Sequence, residues 1–470
     1  MILPPPSSAA LGRHPTSFPS DVVTRDLASV WHPFTQHSSW PDDQPLAIQR
    51  GEGRYLYDGD GRRYLDGVSS LWVIVHGHRE PRIDAAIRRQ LDALAHSTFL
   101  GLTHAPGVEL AEALLHTAPA GLTRVFYAGD GASAVEAALK MAYQSAAQRG
   151  ADRPLFVHVA EGYHGDTLGA VSVGGIELFH ATYRPILLAT RSVPSPGVFS
   201  PGQSRQERAV EVLAELDELL AVDGERVCAV VIEPMVQAAG GMLTHSPDFV
   251  RGVRQACDAS GALMIADEVA TGIGRTGRMW AVEHAGVAPD LLTCGKGLTG
   301  GYLPLSAVLA TEAVYEAFLG SPGSGRTFFH GHTYTGNPLA CAAALANLRL
   351  MGERRTVARA AAIGDHLGEL LTPLAAMDGV VDVRRIGTMT GVELGPFRPE
   401  LRTGGRVCRL ARDRGVLLRP LGDVVVLMPM LGSEPSEVDE LGSVAVDCIR
   451  DVLADSPPLG QPAPAPTAAP

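Results

Sequence analysis

Two nearly all-apolar segments, each ending in an acidic residue, constrain the fold of this chain more than any other feature of its sequence. Residues 227–233 (VCAVVIE) and 262–267 (ALMIAD) lack the alternation of a half-exposed strand. Between them, residues 249–260 have the apolar spacing of a helix. A strand buried on both faces, then a helix, then a second buried strand is typical of a parallel sheet covered by helices on both sides.

The alternation of strands and helices continues along the chain, so we predict an α/β fold. Further strands are predicted at 123–128, 155–159 and 291–294, and helices at 108–116 and 134–148. After residue 345 the strands become shorter and alternating, which predicts a smaller α+β domain. A β-hairpin at 55–66 is predicted to join this domain from the other chain end.

These patterns divide the chain into five parts. We predict a disordered extension (1–25), an N-terminal segment of the small domain and active site (26–80), a large domain (81–345), a C-terminal small domain (346–455) and a disordered tail (456–470). Both ends are assigned as disordered because they are rich in Pro, Ser and Ala and show no periodicity.

The composition argues against several classes of function. The formal net charge is −12 and no basic block is present, so we expect no nucleic-acid partner. No apolar run is long enough for a membrane span, and the N-terminus lacks the features of a signal peptide, so we expect a cytoplasmic protein. The six cysteines have no CxxC spacing and the histidines no ligand pattern, so no metal is expected.

Lysine is almost absent from the chain, which draws attention to the two lysines that remain. Among 39 Lys+Arg residues, only Lys140 and Lys296 are lysines. Arginine replaces lysine in salt bridges but not as an amine nucleophile, because its guanidinium stays protonated. Lys296 lies in a Gly-Lys-Gly loop after a predicted strand and is therefore a candidate for Schiff-base chemistry. Lys140 lies on a predicted helix, where it is expected to extend along the surface.

Polar residues stand at the predicted strand ends, where parallel sheets place their functional sites. Asp130, Glu233, Asp267 and Lys296 all lie there. A carboxylate such as Asp267 suits pairing with the protonated ring nitrogen of a pyridine cofactor, although an N-cap role explains it equally well. Residues 129–133 (GDGAS) open a helix and offer backbone N–H groups to a phosphate, but glycine turns before helices are common.

Two further segments have a functional and an ordinary interpretation. Tyr163, in residues 163–167 (YHGDT), could place its ring against a planar cofactor, or the segment could be a simple turn. Arg419 ends a predicted strand and suits bidentate binding of a carboxylate, although in a chain with 37 arginines the sequence alone favours an ordinary surface arginine.

Together these segments resemble the class-III, fold-type-I aminotransferases, which use pyridoxal 5′-phosphate (PLP). The resemblance extends from about residue 27 to about residue 450. It rests on residues 31–34 (WHPF), 69–72 (SSLW), 76–78 (HGH), 163–167 (YHGDT), 176–180 (IELFH), 267–272 (DEVATG), 295–302 (GKGLTGGY) and 330–338 (HGHTYTGNP).

The resemblance implies a role for individual residues. Lys296 would hold PLP and transfer protons, Asp267 would pair with the ring nitrogen, and Tyr163 would pack against the ring. The implied cofactor site comprises Gly131, Ala132, Tyr163, Glu233, Asp267, Val269, Lys296, His332 and Thr333. The implied substrate site comprises Phe34, Trp72, Tyr163, Asp166, Lys296, Gly331 and Arg419, with Arg419 on the carboxylate of a long keto acid.

The resemblance also implies a homodimer with shared active sites, in which residues 331–333 reach the site of the other subunit. Residues 31–34 and 69–72 resemble the branch of biotin synthesis, which implies 8-amino-7-oxononanoate as amino acceptor and S-adenosyl-L-methionine as donor. Phe34, Leu71 and Ala132 replace the tyrosine, tryptophan and serine usual in that branch. Lysine as donor, or a general ω-aminotransferase acting on β-alanine, 4-aminobutyrate or a diamine, remains an alternative.

Overall fold

A seven-stranded sheet forms the centre of the protein, seen here in a computed structural model that describes residues 21–200 and 202–456. Its strand order is β4-β12-β11-β10-β7-β5-β6. The strands are β4 (Leu122–Ala128), β5 (Leu155–Val159), β6 (Thr190–Val193), β7 (Val227–Ile232), β10 (Leu263–Asp267), β11 (Leu291–Cys294) and β12 (Ser306–Thr311). The pairings among β11, β10, β7, β5 and β6 are parallel, whereas β12 is antiparallel to β11 and β4.

Both faces of this sheet are buried, as the apolar sequence of its strands predicts. On β7, Val230 and Ile232 enter one apolar cluster, whereas Ala229 and Val231 enter another on the opposite face. The helix Gly131–Gln148 packs in the second cluster. The α/β fold with a mostly parallel, helix-covered sheet is therefore confirmed.

Most of the regular secondary structure outside the central sheet is helical. The α-helices are Val22–Ser29, Pro81–Ala93, Ala105–Thr117, Gly131–Gln148, Leu168–Ser172, Glu177–His180, Arg205–Asp223, Pro247–Ser260, Glu312–Glu316, Pro338–Glu353, Thr356–Leu371, Thr403–Asp413 and Pro435–Ala454. Short 3₁₀ helices are Pro41–Asp43, Arg184–Ile186, Gly224–Arg226, Ala281–His284, Lys296–Thr299, Thr372–Ala376 and Pro399–Leu401. In the part of the chain that the structure describes, no helix is both long and apolar enough to cross a membrane.

Two four-stranded sheets join the ends of the chain. One has the order β1-β2-β3-β15 and the other β13-β14-β17-β16. Their strands are β1 (Ile48–Glu52), β2 (Tyr55–Asp58), β3 (Arg63–Asp66), β13 (Val380–Ile386), β14 (Met389–Leu394), β15 (Val416–Leu417), β16 (Arg419–Leu421) and β17 (Val424–Leu427). The parallel pairing of β15 with β3 connects the C-terminal region to the predicted hairpin. A small ribbon of β8 (Val236–Gln237) and β9 (Leu243–Thr244) completes the strands.

The N-terminal boundary of order differs from the prediction. Residues 22–25, which were included in the disordered extension, belong to the helix Val22–Ser29. Residues 1–20 and 457–470 lie outside the described residues. Strand β12, which runs antiparallel to its neighbours β11 and β4, is absent from the predicted strands. The other domain boundaries stay predictions.

Candidate active site

A cavity of about 470 Å³ opens at the carboxyl end of the central sheet. The strands β7, β10 and β11 end next to it, which is where a parallel sheet is expected to place its functional groups. Its walls are formed by Trp72, Asp130, Gly131, Ala132, Tyr163, His164, Gly165, Asp166, Thr167, Glu233, Ala238, Ala239, Asp267, Val269, Ala270 and Lys296.

Asp267, the last residue of β10, is buried and lines this cavity, and each of its two carboxylate oxygens has a hydrogen-bond partner. Its Oδ1 accepts from Thr293 Oγ1 at 2.9 Å and from the Val269 N–H at 3.0 Å. Its Oδ2 lies 2.7 Å from His164 Nδ1. A buried carboxylate needs such partners, and they also fix its direction.

His164 is buried beside Asp267, and its protonation is set by that neighbour. Burial by itself lowers the pKa of His164, but the hydrogen bond and negative charge of Asp267, with the charge of Glu233, outweigh burial and raise the pKa above its ordinary value. The Nε2 atom of His164 is buried and has no hydrogen-bond partner in the structure. His164 is therefore protonated more readily than an ordinary histidine, with its Nδ1 directed at Asp267.

Glu233 follows β7 and places a second carboxyl group in the same wall. It accepts the N–H groups of Tyr163 and Ala238, both at 3.0 Å. Burial raises its pKa to about 7, the positive charge of His164 opposes this, and the charge of Asp267 adds to it. Asp267 and Glu233 therefore differ in their partners: Asp267 contacts the side chains of His164 and Thr293, whereas both oxygens of Glu233 accept backbone N–H groups.

Lys296 faces these carboxyl groups from the first position of the 3₁₀ helix Lys296–Thr299. Burial lowers the pKa of its amine, and the charges of Asp267 and Glu233 oppose that effect only in part. A lowered pKa increases the fraction of neutral, nucleophilic amine at physiological pH. Asn347 holds the lysine loop in place by donating to the carbonyl oxygens of Gly297 and Leu298, each at 3.0 Å.

The glycine turn before the helix Gly131–Gln148 forms one end of the cavity. Asp130 caps this helix, with its side chain accepting from the Ser133 N–H at 2.9 Å. A side chain at Gly131 would collide with Val269, whose Cγ1 lies 2.7 Å from the position of a Cβ atom. Glycine is therefore required here by the close packing against Val269, and the helix N-terminus that it opens suits a phosphate group.

Aromatic rings and an acidic side chain form the outer wall. The hydroxyl group of Tyr163 donates to Asp166 Oδ2 at 2.9 Å. Burial, together with this hydrogen bond, raises the pKa of Tyr163, so its phenol stays neutral. The Tyr163 ring contacts Phe179 edge-on with centroids 6.0 Å apart, and Phe179 contacts Phe34 at 5.5 Å.

Trp72 also lines the cavity, and its backbone has an unusual conformation. The four residues Ser69–Trp72 have φ values of 51°, 46°, 68° and 71°, which makes a left-handed turn without glycine. Such a conformation costs about 1–2 kcal/mol per residue, so other contacts must hold it. The Trp72 ring centroid lies 5.5 Å from Lys296 Nζ, and its buried Nε1 has no hydrogen-bond partner in the structure.

The structure brings most of the predicted site residues together. Trp72, Gly131, Ala132, Tyr163, Asp166, Glu233, Asp267, Val269 and Lys296 all line the cavity. Phe34 is exposed and reaches this wall only through Phe179. Arg419 begins β16 in a small sheet and is not among the lining residues.

The predicted residues Gly331, His332 and Thr333 are exposed on a loop next to the glycine turn. A Cβ atom at Gly129 would lie 3.4 Å from the His332 ring of the same chain. The loop therefore borders the cavity without lining it in a single chain.

Three residues near the cavity were not assigned a role from the sequence. His164 and Thr293 contact Asp267 directly, and Asn347 supports the lysine loop. Their proximity to Tyr163 and Lys296 in the chain was a signal for the first two, whereas Asn347 lies on a distant helix. Among the described residues, no group of three or more His, Cys, Asp or Glu could hold a metal ion.

A strand-end carboxylate, a half-buried lysine and a glycine turn at a helix N-terminus in one cavity are the arrangement expected of an enzyme with a lysine-bound cofactor. The model of the family "Aminotransferase class-III" matches residues 37–449. The chain belongs to this family.

Individual relatives agree with this assignment. The adenosylmethionine-8-amino-7-oxononanoate aminotransferase of Nitratidesulfovibrio vulgaris is 51% identical over 428 residues, covering 88% of this chain and 79% of the relative. The crystal structure of the enzyme of that name from Methanocaldococcus jannaschii has a TM-score of 0.87 at 39% identity, covering 91% of this chain and 98% of that one. An amine transaminase from an uncultivated Pseudomonas species, in its PLP-bound form, has a TM-score of 0.85 at 35% identity, covering 90% and 99%.

The raised pKa of Glu233 predicts a pH-dependent stability. The folded protein favours the protonated carboxyl, with a pKa of about 7 against an ordinary value of 4.5. The stabilisation from Glu233 is therefore complete below the ordinary value and is lost as the pH rises through about 7. Chemical unfolding of the cofactor-free protein should show this loss, and Glu233→Gln should show less of it.

The exposed Glu215, on the helix Arg205–Asp223, offers a control. Glu215→Gln should follow the wild-type pH profile. Parallel profiles for wild type and Glu233→Gln would contradict the assignment.

Proposed function

We propose that this protein is a PLP-dependent aminotransferase that converts 8-amino-7-oxononanoate to 7,8-diaminononanoate in biotin synthesis, with S-adenosyl-L-methionine as amino donor. The observation that carries the proposal is the convergence of Lys296, Asp267 and the glycine turn in one cavity of a class-III aminotransferase. The names of its relatives support the substrates.

The residues present fit PLP. The cofactor needs an amine for its aldehyde, an anionic partner for its ring nitrogen and N–H donors for its phosphate. Lys296 and Asp267 would supply the first two, and the backbone N–H groups of Gly131 and Ala132, which line the cavity at the start of the helix Gly131–Gln148, would supply the third. Tyr163 and Val269 line the walls between them, where they would contact the ring. When bound, PLP acts as an electron sink for the carbon that carries the amino group.

Lys296 provides both attachment and proton transfer. Its lowered pKa makes the neutral amine available to bind the cofactor's aldehyde carbon. During transamination, Lys296 Nζ would also serve as the base that removes the proton from the amine-bearing carbon of the substrate. The Trp72 ring beside Nζ limits water at this point.

Asp267 would keep the ring nitrogen of the cofactor protonated. Its hydrogen bonds from Thr293 and Val269 and its contact with His164 fix the direction of the carboxylate. Glu233, next to Tyr163, would complete the polar wall on the same side.

The substrate side of the proposal rests on Trp72, Tyr163 and Asp166, which line the cavity. Phe34 would extend this wall through Phe179. Arg419 would bind the carboxylate of the keto acid, a role that requires its side chain to face the substrate in the complex. Phe34 and Leu71 lack the polar and aromatic groups usual near the donor, which keeps lysine as an alternative donor.

We also propose a homodimer that shares its two active sites. Phe329 and Tyr334, on either side of the Gly331–Thr333 loop, are 80% and 62% exposed, so this face presents apolar surface for a second copy. The loop of the second copy would then reach the phosphate end of the cavity.

We further propose that the reaction takes place in the cytoplasm. The six cysteines, all buried and unpaired, support this proposal, because disulfides are rare in that compartment.

A half-reaction assay tests the proposed substrates. PLP-loaded protein is mixed separately with S-adenosyl-L-methionine, lysine and β-alanine, and the conversion of PLP to pyridoxamine phosphate is followed by absorbance. We expect conversion with S-adenosyl-L-methionine, and the aminated protein should then convert 8-amino-7-oxononanoate to 7,8-diaminononanoate. Conversion with lysine alone would support the alternative donor, and conversion with β-alanine alone would contradict the biotin assignment.

Arg419→Ala separates the two halves of this assay. Loss of the guanidinium should slow the keto-acid half-reaction by about tenfold or more and leave the donor half-reaction less affected. An unchanged keto-acid half-reaction would remove Arg419 from the site.

Complementation tests the shared sites. Lys296→Ala and a His332→Ala/Thr333→Ala double variant should each be inactive as homodimers. If the loop serves the partner, coexpression should restore part of the activity, because one mixed site then combines an intact Lys296 with an intact loop. No recovery, or a monomer by sedimentation, would contradict the shared dimer.

A further inference from the structure

The left-handed turn Ser69–Trp72 is fixed by contacts from three parts of the chain. Ser70 donates to both oxygens of Asp66, through its N–H at 2.9 Å and its hydroxyl at 2.7 Å. Ser69 Oγ donates to the carbonyl oxygen of Met428 at 2.7 Å. A disfavoured backbone conformation persists only when its surroundings determine it, so each of these contacts matters for the position of Trp72.

Arg275 provides the third set of contacts and brackets the turn. Its Nη1 donates to Ser69 Oγ at 3.3 Å and to the carbonyl oxygen of Pro429 at 3.0 Å. Its Nη2 donates to the carbonyl oxygen of Ile74 at 2.8 Å. One planar guanidinium thereby connects three parts of the chain: Ser69 at the start of the turn, Ile74 just after it, and Pro429 in the C-terminal region.

The partners of Arg275 are unusual for a buried arginine. The residue is 2% exposed, and all three acceptors of its guanidinium are uncharged oxygens. Burial lowers its pKa to about 10, with the charge of Asp66 opposing in part. Arg384, which is 4% exposed, instead pairs with Asp382 and Glu393. A buried charge without a carboxylate partner is costly, so Arg275 is better explained by the backbone it holds than by the stability it adds.

We propose that Arg275 is a positioning residue whose guanidinium holds the turn Ser69–Trp72, so that the Trp72 ring forms the cavity wall beside Lys296. Trp72 is 5% exposed and lines the cavity, whereas Arg275 is not among the lining residues and acts through the turn. The identity of the substrate that Trp72 contacts depends on the proposed function. The hydrogen bonds by which Arg275 fixes the turn do not depend on it.

The proposal distinguishes substrate positioning from chemistry. Without the guanidinium, the turn can relax toward ordinary backbone conformations and the indole ring moves out of place. Lys296 and Asp267 are held by other contacts, through Asn347, His164 and Thr293. The binding of the long substrate should therefore weaken more than the proton transfer at Lys296.

Hydrogen exchange of the full chain without cofactor tests the hold directly. The N–H groups of Trp72, Val73 and Ile74 donate to the carbonyl oxygens of Val68 and Ser69. In Arg275→Met these amides should exchange about tenfold faster or more, while exchange in the central sheet stays as in wild type. Arg384→Met should leave them unchanged. Unchanged exchange in Arg275→Met, or a rise spread evenly over the chain, would overturn the proposal.

Milder variants cover the case in which Arg275→Met does not fold. Ser69→Ala removes the oxygen that accepts from Nη1, and Arg275→Lys keeps the charge but not the planar fork. Both should show the same local increase in exchange at a smaller size, and no local increase in either would overturn the proposal.

Steady-state kinetics of the PLP-loaded protein give the second readout. The charge of Arg275 also lowers the pKa of the Lys296 amine, so the kinetic test uses Arg275→Lys, which keeps that charge and should raise KM for the keto acid more than it lowers kcat. Combined with Trp72→Ala, its effect on kcat/KM should be smaller than the product of the single effects, because both changes remove one wall. Independent effects would overturn the proposal. If the keto acid is not a substrate at all, the proposed function fails while the exchange data still decide the role of Arg275.

Discussion

The buried Asp267 carboxylate is the group on which the rest of the active site depends. Because it lies at the end of β10 without access to bulk water, each oxygen must find a protein partner. Those partners come from three places: His164 after β5, Thr293 on β11 and the backbone of Val269. Strand β11 leads directly to Lys296, so the geometry that satisfies the carboxylate also determines where the amine lies.

The ends of the chain supply what the central sheet cannot. The strand ends of the central sheet supply the carboxylates and the amine, but the cavity also needs a wall beside them. Trp72 forms part of that wall, from a left-handed turn between β3 and the helix Pro81–Ala93. The pairing of β3 with β15 brings the C-terminal region beneath this turn, where Met428 and Pro429 accept hydrogen bonds from Ser69 and Arg275. The position of Trp72 in the cavity wall is therefore connected to the packing of the N-terminal and C-terminal regions against each other.

The sequence predicted the parts of the site that follow from local patterns. Continuous apolar runs identify buried parallel strands, and such strands gather their carboxyl ends, which is why Glu233, Asp267 and Lys296 were found together. The left-handed turn could not be predicted in the same way. It contains no glycine, and its contacts with Arg275 and Met428 come from positions 206 and 359 residues away. Arg275 could not be separated from the other arginines until its burial and its neutral partners were seen. The roles of Phe34, Arg419 and residues 331–333 stay predictions, because they depend on a bound substrate or a second chain.

The chain's scarcity of lysine allows a direct test of the central claim, that Lys296 carries the cofactor. Borohydride reduction of the PLP-loaded protein, followed by digestion and mass spectrometry, should place the label on Lys296 alone. Lys140→Ala should label as wild type does, since Lys140 contacts Phe329 and His330 on the surface. Lys296→Ala should have neither label nor the visible absorbance of a lysine-bound cofactor. Label on Lys140, or absorbance that persists in Lys296→Ala, would contradict the account.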